Sequence, residues 1–272
     1  MKIAITGASG FVASRLTKVF TNYVSIGRND SEDEILSKLE GVDAVFNLAG
    51  APIVKKWSES YKKILISSRV DTTRTLVNAI NKSEVKRFIS TSAIGAYPDG
   101  AAFDESFDGY GDDFLASLTQ VWEAEAHKCL KPTTIIRFGV VLGSDGGALA
   151  QTLPAFKMGV GGVIGDGKMM TSWIDVDDLV RIYSHVIENE LTGTFNATSP
   201  NPVSNYEFTK ALGNVLHRPT ILPLPIFALK LLFGEGASVL TASKEIYPKA
   251  LLESGFVFKY PDIHSSLYHT LG

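Results

Sequence analysis

The chain has 272 residues, a formal net charge of −3, and 45% hydrophobic and 20% charged residues, the balance of an ordinary globular protein. That charge excludes an electrostatic case for nucleic acid or an anionic membrane as partner, and no apolar run reaches the roughly 18 residues of a spanning helix. A single cysteine, Cys129, excludes an intrachain disulfide framework and fits a small buried hydrophobe in a reducing cytoplasm.

The first half alternates apolar runs with helical periodicity. Strands are expected at 2–6, 23–27, 43–50, 86–93 and 133–143, and helices at 10–20, 31–39, 58–82 and 112–129. This rhythm implies an α/β fold, a Rossmann-like doubly wound parallel sheet with right-handed crossovers. After Gly143 a glycine-rich stretch to residue 173 is expected to hold a helix and a hairpin, followed by a helix over 174–189 and a returning strand over 193–199. From residue 200 short helices are punctuated by prolines. The expected division is a dinucleotide-binding domain of 1–143 plus about 174–199, and a small, mostly helical substrate lobe of 144–173 plus 200–272.

The stretch Gly7-Ala8-Ser9-Gly10-Phe11-Val12-Ala13 joins the first strand to the first helix. Gly7 permits the tight turn, and Gly10 lets a pyrophosphate approach the helix N-terminus, where free N–H groups and the helix dipole favour anions. Ser9 and Phe11 belong to the same cradle. Ala13 stands at the third glycine position, where a small residue suffices for helix–strand packing. After the second strand comes Gly27-Arg28-Asn29-Asp30. Arg28 suits a 2′-phosphate and points to NADP, whereas Asp30 keeps NAD as the alternative.

The motifs "TGASGFVA", "NLAG" (47–50), "STSAIGAY" (90–97) and "RFGVVLG" (137–143) resemble the extended short-chain dehydrogenase/reductase superfamily, in its NAD-dependent epimerase/dehydratase branch. Residues 47–80, 112–126, 171–180 and the tail 224–267 are similar to a narrower, atypical group of bacterial epimerase family proteins. The resemblance implies that Leu48, Ala49 and Gly50 line the nicotinamide-ribose side of a cleft. Ser90 and Ser92 would end the fourth strand beneath the nicotinamide, with Ser92 at the catalytic Ser/Thr position, and Phe138 would lie beside the ring. Arg69 falls near the superfamily's usual Asn and joins the cofactor set.

The superfamily's Tyr-x-x-x-Lys acid/base motif does not carry over. Among nine tyrosines only Tyr206 and Lys210 have the spacing, and they lie beyond the 193–199 strand, where an exposed helix start is expected. On the helix over 112–129, Leu115, Ser117, Thr119 and Val121 stand where the dyad would fall. Tyr97 and Tyr110 are the substitute acids to consider, Tyr97 first, each against the alternative of a packed loop aromatic. Trp57 and Trp173 are candidate substrate contacts, although core packing of Trp173 and a helix-capping role for Asp175 are the simpler readings. Lys55 and Lys56 are candidates for an anionic group. The five histidines show no ligand spacing, so no metal is expected.

Two functions remain open. One is an NADP(H)-dependent nucleotide-sugar epimerase or oxidoreductase acting on a small carbonyl or sugar-nucleotide-like substrate. The other is a non-catalytic NADP-binding regulatory or redox-sensing protein. A monomer or a homodimer fits either.

Overall fold

The computed structural model describes residues 1–272. The chain begins β1 (Ile3–Thr6), α1 (Phe11–Val19), β2 (Tyr23–Ile26), α2 (Glu32–Lys38), β3 (Ala44–Asn47), α3 (Glu59–Ile66) and α4 (Thr72–Asn81). Next come β4 (Arg87–Ala93), β5 (Ala102–Phe103), α5 (Phe114–Ala126), β6 (Thr133–Phe138), β7 (Val140–Gly143) and α6 (Gly147–Lys157). Then follow β8 (Met170–Thr171), β9 (Trp173–Asp175), α7 (Val176–Glu188), β10 (Gly193–Ala197), β11 (Val203–Ser204) and α8 (Asn205–Val215). The tail holds α9 (Ile226–Phe233), α10 (Ser238–Thr241), β12 (Glu245–Ile246), α11 (Lys249–Glu253) and α12 (Ile263–Leu271).

Six strands form one parallel sheet in the order β2-β1-β3-β4-β6-β10. Both faces are covered, which is why these strands read as continuous apolar runs. Alternate residues point to opposite faces. Ile3, Ile5, Phe46, Ile89 and Ile136 pack with α1 and α7, while Ala4, Val45, Phe88 and Ile135 pack with α2 and α4. The order in which strands are added reverses between β1 and β3, and in open α/β sheets the crevice beyond the strand ends at such a reversal is where ligands sit.

A third core joins Leu142, Leu149, Phe156, Trp173, Leu212 and Leu267 from β7, α6, β9, α8 and α12. Leu251 and Phe256 of the tail reach back into the core that contains Ile3 and Ile5.

Three expectations need correction. The helix expected over 58–82 is interrupted by a π-helical turn over Ser67–Asp71, which shifts the helical register between α3 and α4. The strand expected over 133–143 breaks at Gly139, where a Cβ would stand 2.7 Å from Ser172 O and 2.9 Å from Thr198 Cγ2. No hairpin forms within 144–173. Instead β8 pairs antiparallel with β11, and β9 pairs parallel with β7.

Candidate active site

The crevice between the ends of β1 and β3 is drawn tight by backbone. Gly7 has φ +66°, and a Cβ there would stand 3.0 Å from Leu48 O, so both conformation and space require glycine. Thr6 ties the two sides together. Its hydroxyl donates to Asn47 Oδ1 at 2.8 Å and accepts from the N–H groups of Leu48 and Ala49, each at 3.0 Å. At the other end of the turn Gly10 precedes α1 with no side-chain cap, and the first turn of α1 carries no acid. The helix therefore presents uncapped N–H groups beside Ser9, the arrangement that suits a phosphate.

Phe11 plays a different part from the one its place in the motif suggests. Its ring fills the space over three glycines. A Cβ at Gly143 would be 2.3 Å, at Gly146 2.2 Å and at Gly147 3.3 Å from that ring. Arg15 on the next turn pairs with Asp145 at 2.5 Å. The glycine-rich turn after β7 is thus shaped to receive α1.

At the end of β2 the two candidate ribose readers differ in availability. The Asp30 carboxylate accepts from Gly27 N–H at 2.6 Å and pairs with Lys38; Lys38 and this backbone bond hold it below its ordinary pKa. Arg28 is exposed and makes no ion pair, so it is the charged group free for a ligand.

Ser90 and Ser92 both point to the α4–α5 side of the sheet but serve different networks. Ser90 is 1% exposed and accepts from Asn47 Nδ2, which also donates to Thr73; Trp122 Nε1 donates to the same Thr73 hydroxyl. The Ser90 hydroxyl thus holds Asn47, the residue that precedes Leu48 and Ala49. Ser92, also 1% exposed, donates to Glu123 Oε1. Glu123 further accepts from Arg137 Nε at 2.8 Å, Arg137 Nη2 at 2.7 Å and the Tyr110 hydroxyl at 2.8 Å. Burial drives the Glu123 carboxyl upward, but Arg137 and the two hydroxyls outweigh it, and the group lies below its ordinary value. Tyr110 is pushed up to about 12 by burial and by the neighbouring Glu123, so it remains a donor at neutral pH.

The α5 positions that face the end of β4 carry no Tyr and Lys. Leu115 and Thr119, four residues apart, face Gly95 just beyond β4. Leu115 carries no proton, and the Thr119 hydroxyl is spent on Leu115 O at 2.7 Å. The ionised group hydrogen-bonded to Ser92 is Glu123, with Arg137 beside it on β6. Sequence reasoning passed over Glu123 and Arg137, yet an arginine within the apolar run TTIIRFGVV is a signal that a buried counter-charge must exist.

Three further candidates are held by packing. Tyr97 has no exposed surface, donates to Asn196 Oδ1 at 2.9 Å, and lies among Phe103, Phe107 and Arg137. Trp173 is likewise fully buried in the third core and donates to Asn201 O. Trp57, 8% exposed, donates to Ile53 O and packs on Phe114, with Gly236 pressed against its indole. None of these three side chains is free at the crevice. Phe138 lies partly buried beside Tyr183. Asp175 caps α7 by accepting from Asp177 N–H, and Tyr206 is 53% exposed at the start of α8, away from this site.

Arg69 sits in the π-helical turn with its guanidinium against Gly50, where a Cβ would be 3.0 Å from Cζ. It stacks on Trp122 at 5.4 Å and donates to Ala51 O at 3.0 Å. Burial pulls its pKa down to about 10.

Comparisons with known proteins agree with this architecture. Residues 3–198 match the model of the NAD dependent epimerase/dehydratase family, and residues 224–270 match a domain of unknown function. An epimerase family protein homolog from Arabidopsis thaliana, described as chloroplastic, is 38% identical over 98% of this chain and 86% of its own length. The epimerase family protein YfhF of Bacillus subtilis is 34% identical over 98% and 97% of the respective chains. The crystal structure of human epimerase family protein SDR39U1 with NADPH superposes with a TM-score of 0.93 at 30% identity, covering 100% of this chain and 99% of that one. No helix is long and apolar enough to cross a membrane.

Proposed function

Because the chain belongs to the NAD dependent epimerase/dehydratase family, we propose that it binds NADP(H) at the β1–β3 crevice and acts on a small carbonyl or sugar-nucleotide-like substrate as a reductase or epimerase. The carrying observation is the pairing of an uncapped α1 N-terminus with a free Arg28 and an occupied Asp30. Gly7 and Gly10 would receive the pyrophosphate, Arg28 the 2′-phosphate, and Leu48, Ala49, Gly50 and Phe138 the nicotinamide end. The human relative crystallised with NADPH supports the choice of cofactor. When bound, the nicotinamide would supply or accept a hydride.

Ser92 already donates its one proton to Glu123. It therefore acts through its lone pairs, accepting from a substrate hydroxyl in oxidation or, in reduction, from a water whose second hydrogen goes to the substrate oxygen, while Glu123 fixes its direction.

Titration of the protein with NADPH and NADH tests the cofactor. Arg28→Ala should weaken NADPH by about 10–100-fold, the worth of a charge-assisted pair, and leave NADH unchanged. Equal loss for both would overturn the assignment. NADPH oxidation with a carbonyl panel tests the chemistry, and Ser92→Ala should lower it by about 100-fold.

A second reading, a non-catalytic NADP-binding regulatory or redox-sensing protein, is favoured by the absence of an ionisable acid or base at Leu115 and Thr119. Tight NADPH binding with no turnover across the panel would select it.

A further inference from the structure

We propose that Arg69 is a substrate-binding residue, and that the substrate carries an anionic oxygen, a carboxylate or a phosphate, bound against Gly50. The proposal deepens the reading above and rests on it for the position of the cofactor.

The guanidinium is unusual in what it lacks. It makes no contact with a carboxylate; its partners are Ala51 O at 3.0 Å and, at the limit of hydrogen bonding, Leu65 O at 3.4 Å and Ser68 Oγ at 3.5 Å. The other arginine of the site, Arg137, is balanced by Glu123, whereas the partly buried Arg69 has only carbonyl and hydroxyl partners. A cation withdrawn from water without a counter-charge is costly, and such a cost persists where a ligand completes the site. The surroundings keep the group in place. Trp122 covers one face of the guanidinium at 5.4 Å and is itself fixed through Nε1 to Thr73. Gly50, which is exposed, leaves the other approach free of a side chain. The π-helical turn that carries Arg69 breaks the register of an otherwise continuous helix, a deviation that recurs at functional sites.

Location separates this anion from those of the cofactor. The uncapped α1 N-terminus and Arg28 already provide for pyrophosphate and 2′-phosphate. Arg69 lies past them, beyond Leu48 and Ala49, on the α5 side. It stacks on Trp122, and the next residue of α5, Glu123, holds Ser92. Trp122 and Glu123 are consecutive on α5, so the same turn of that helix reaches both Arg69 and Ser92. Lys55 and Lys56 are exposed in the loop that follows Gly50, and Lys55 Nζ lies over the Tyr61 ring at 5.0 Å.

The test uses the full-length protein saturated with NADP, titrated calorimetrically with inorganic phosphate, with pyruvate, and with methyl pyruvate as the neutral control. Wild-type protein should bind at least one of the two anions and not the ester. Arg69→Gln should weaken that binding by about tenfold or more, with NADPH affinity within about twofold of wild type. Arg69→Lys, which retains the charge without the guanidinium fork, should keep more of the anion affinity than Arg69→Gln, and a cooperative melt of both variants with NADPH affinity retained shows that the loss is not misfolding. Anion binding unchanged in Arg69→Gln, or no anion bound by wild type, overturns the proposal. A loss of NADPH affinity about equal to the loss of anion affinity assigns Arg69 to the cofactor and also overturns it. Anion binding that depends on Arg69 in a protein that oxidises no NADPH upholds this proposal and defeats the catalytic reading alone.

Discussion

The two halves of the site are built on opposite principles. Around Gly7 and Gly10 the chain exposes backbone: glycines, an uncapped helix end, a free Arg28. Around Ser92 it closes on itself, with one carboxylate saturated by four donors. The first region turns its donors outward. The second is satisfied by its own side chains. The two place different demands on a sequence, because phosphate recognition uses main-chain geometry while proton transfer depends on individual side chains.

The sharpest way to break this contrast is Glu123→Ala. Arg137 would be left buried without a counter-charge, at a cost of about 3–5 kcal/mol, read as a lower denaturant midpoint. Gly7→Ala should be milder for folding, about 1–2 kcal/mol for a non-glycine residue forced to positive φ, but should abolish measurable NADPH binding because the turn moves away from Leu48. Equal effects of the two changes on stability and on cofactor would erase the distinction drawn here.

Acid sharpens it further. A carboxyl held below its ordinary value in the folded state contributes stability that is present above the unfolded pKa, about 4.3 for Glu, and is lost as pH falls through the folded value. Glu123 is such a group. Stability measured by urea unfolding should decline below about pH 4.5, and Glu123→Gln should flatten that part of the decline. An unchanged acid limb in the variant would show that the pair is not ionised in the way described.

How much of this was legible beforehand follows from the physics of each element. Parallel strands buried on both faces announce themselves as apolar runs, and the glycine turn is recognisable because Gly7 and Gly10 answer to backbone requirements that few residues meet. The network around Ser92 is different. Glu123 and Glu125 lie two apart on α5, and only the fold shows that one turns inward to Arg137 while the other turns to Arg74 and Lys128. The indoles of Trp57 and Trp173 gave no direction in sequence, since a large aromatic suits a core as well as a cleft. The π-helical turn at Ser67–Asp71 has no sequence signal, although Arg69 drew notice by standing near a superfamily position.

The smallest effects separate the two tyrosines. Tyr97→Phe removes the only hydrogen on Asn196 Oδ1, an atom of a residue with no exposed surface. An unsatisfied buried acceptor costs about 1–3 kcal/mol, so stability should fall while any NADPH oxidation stays intact. Tyr110→Phe removes one of four donors from Glu123, and Arg137 Nη2 still serves the same oxygen. Its stability cost should be about 0.5–1 kcal/mol. Its effect should appear in the pH profile of turnover, because one of the two hydroxyls that help hold Glu123 ionised is gone. The reverse pattern, with turnover lost in Tyr97→Phe at unchanged melting, would make Tyr97 the acid and require its ring to leave the Phe103–Phe107 cluster during the reaction.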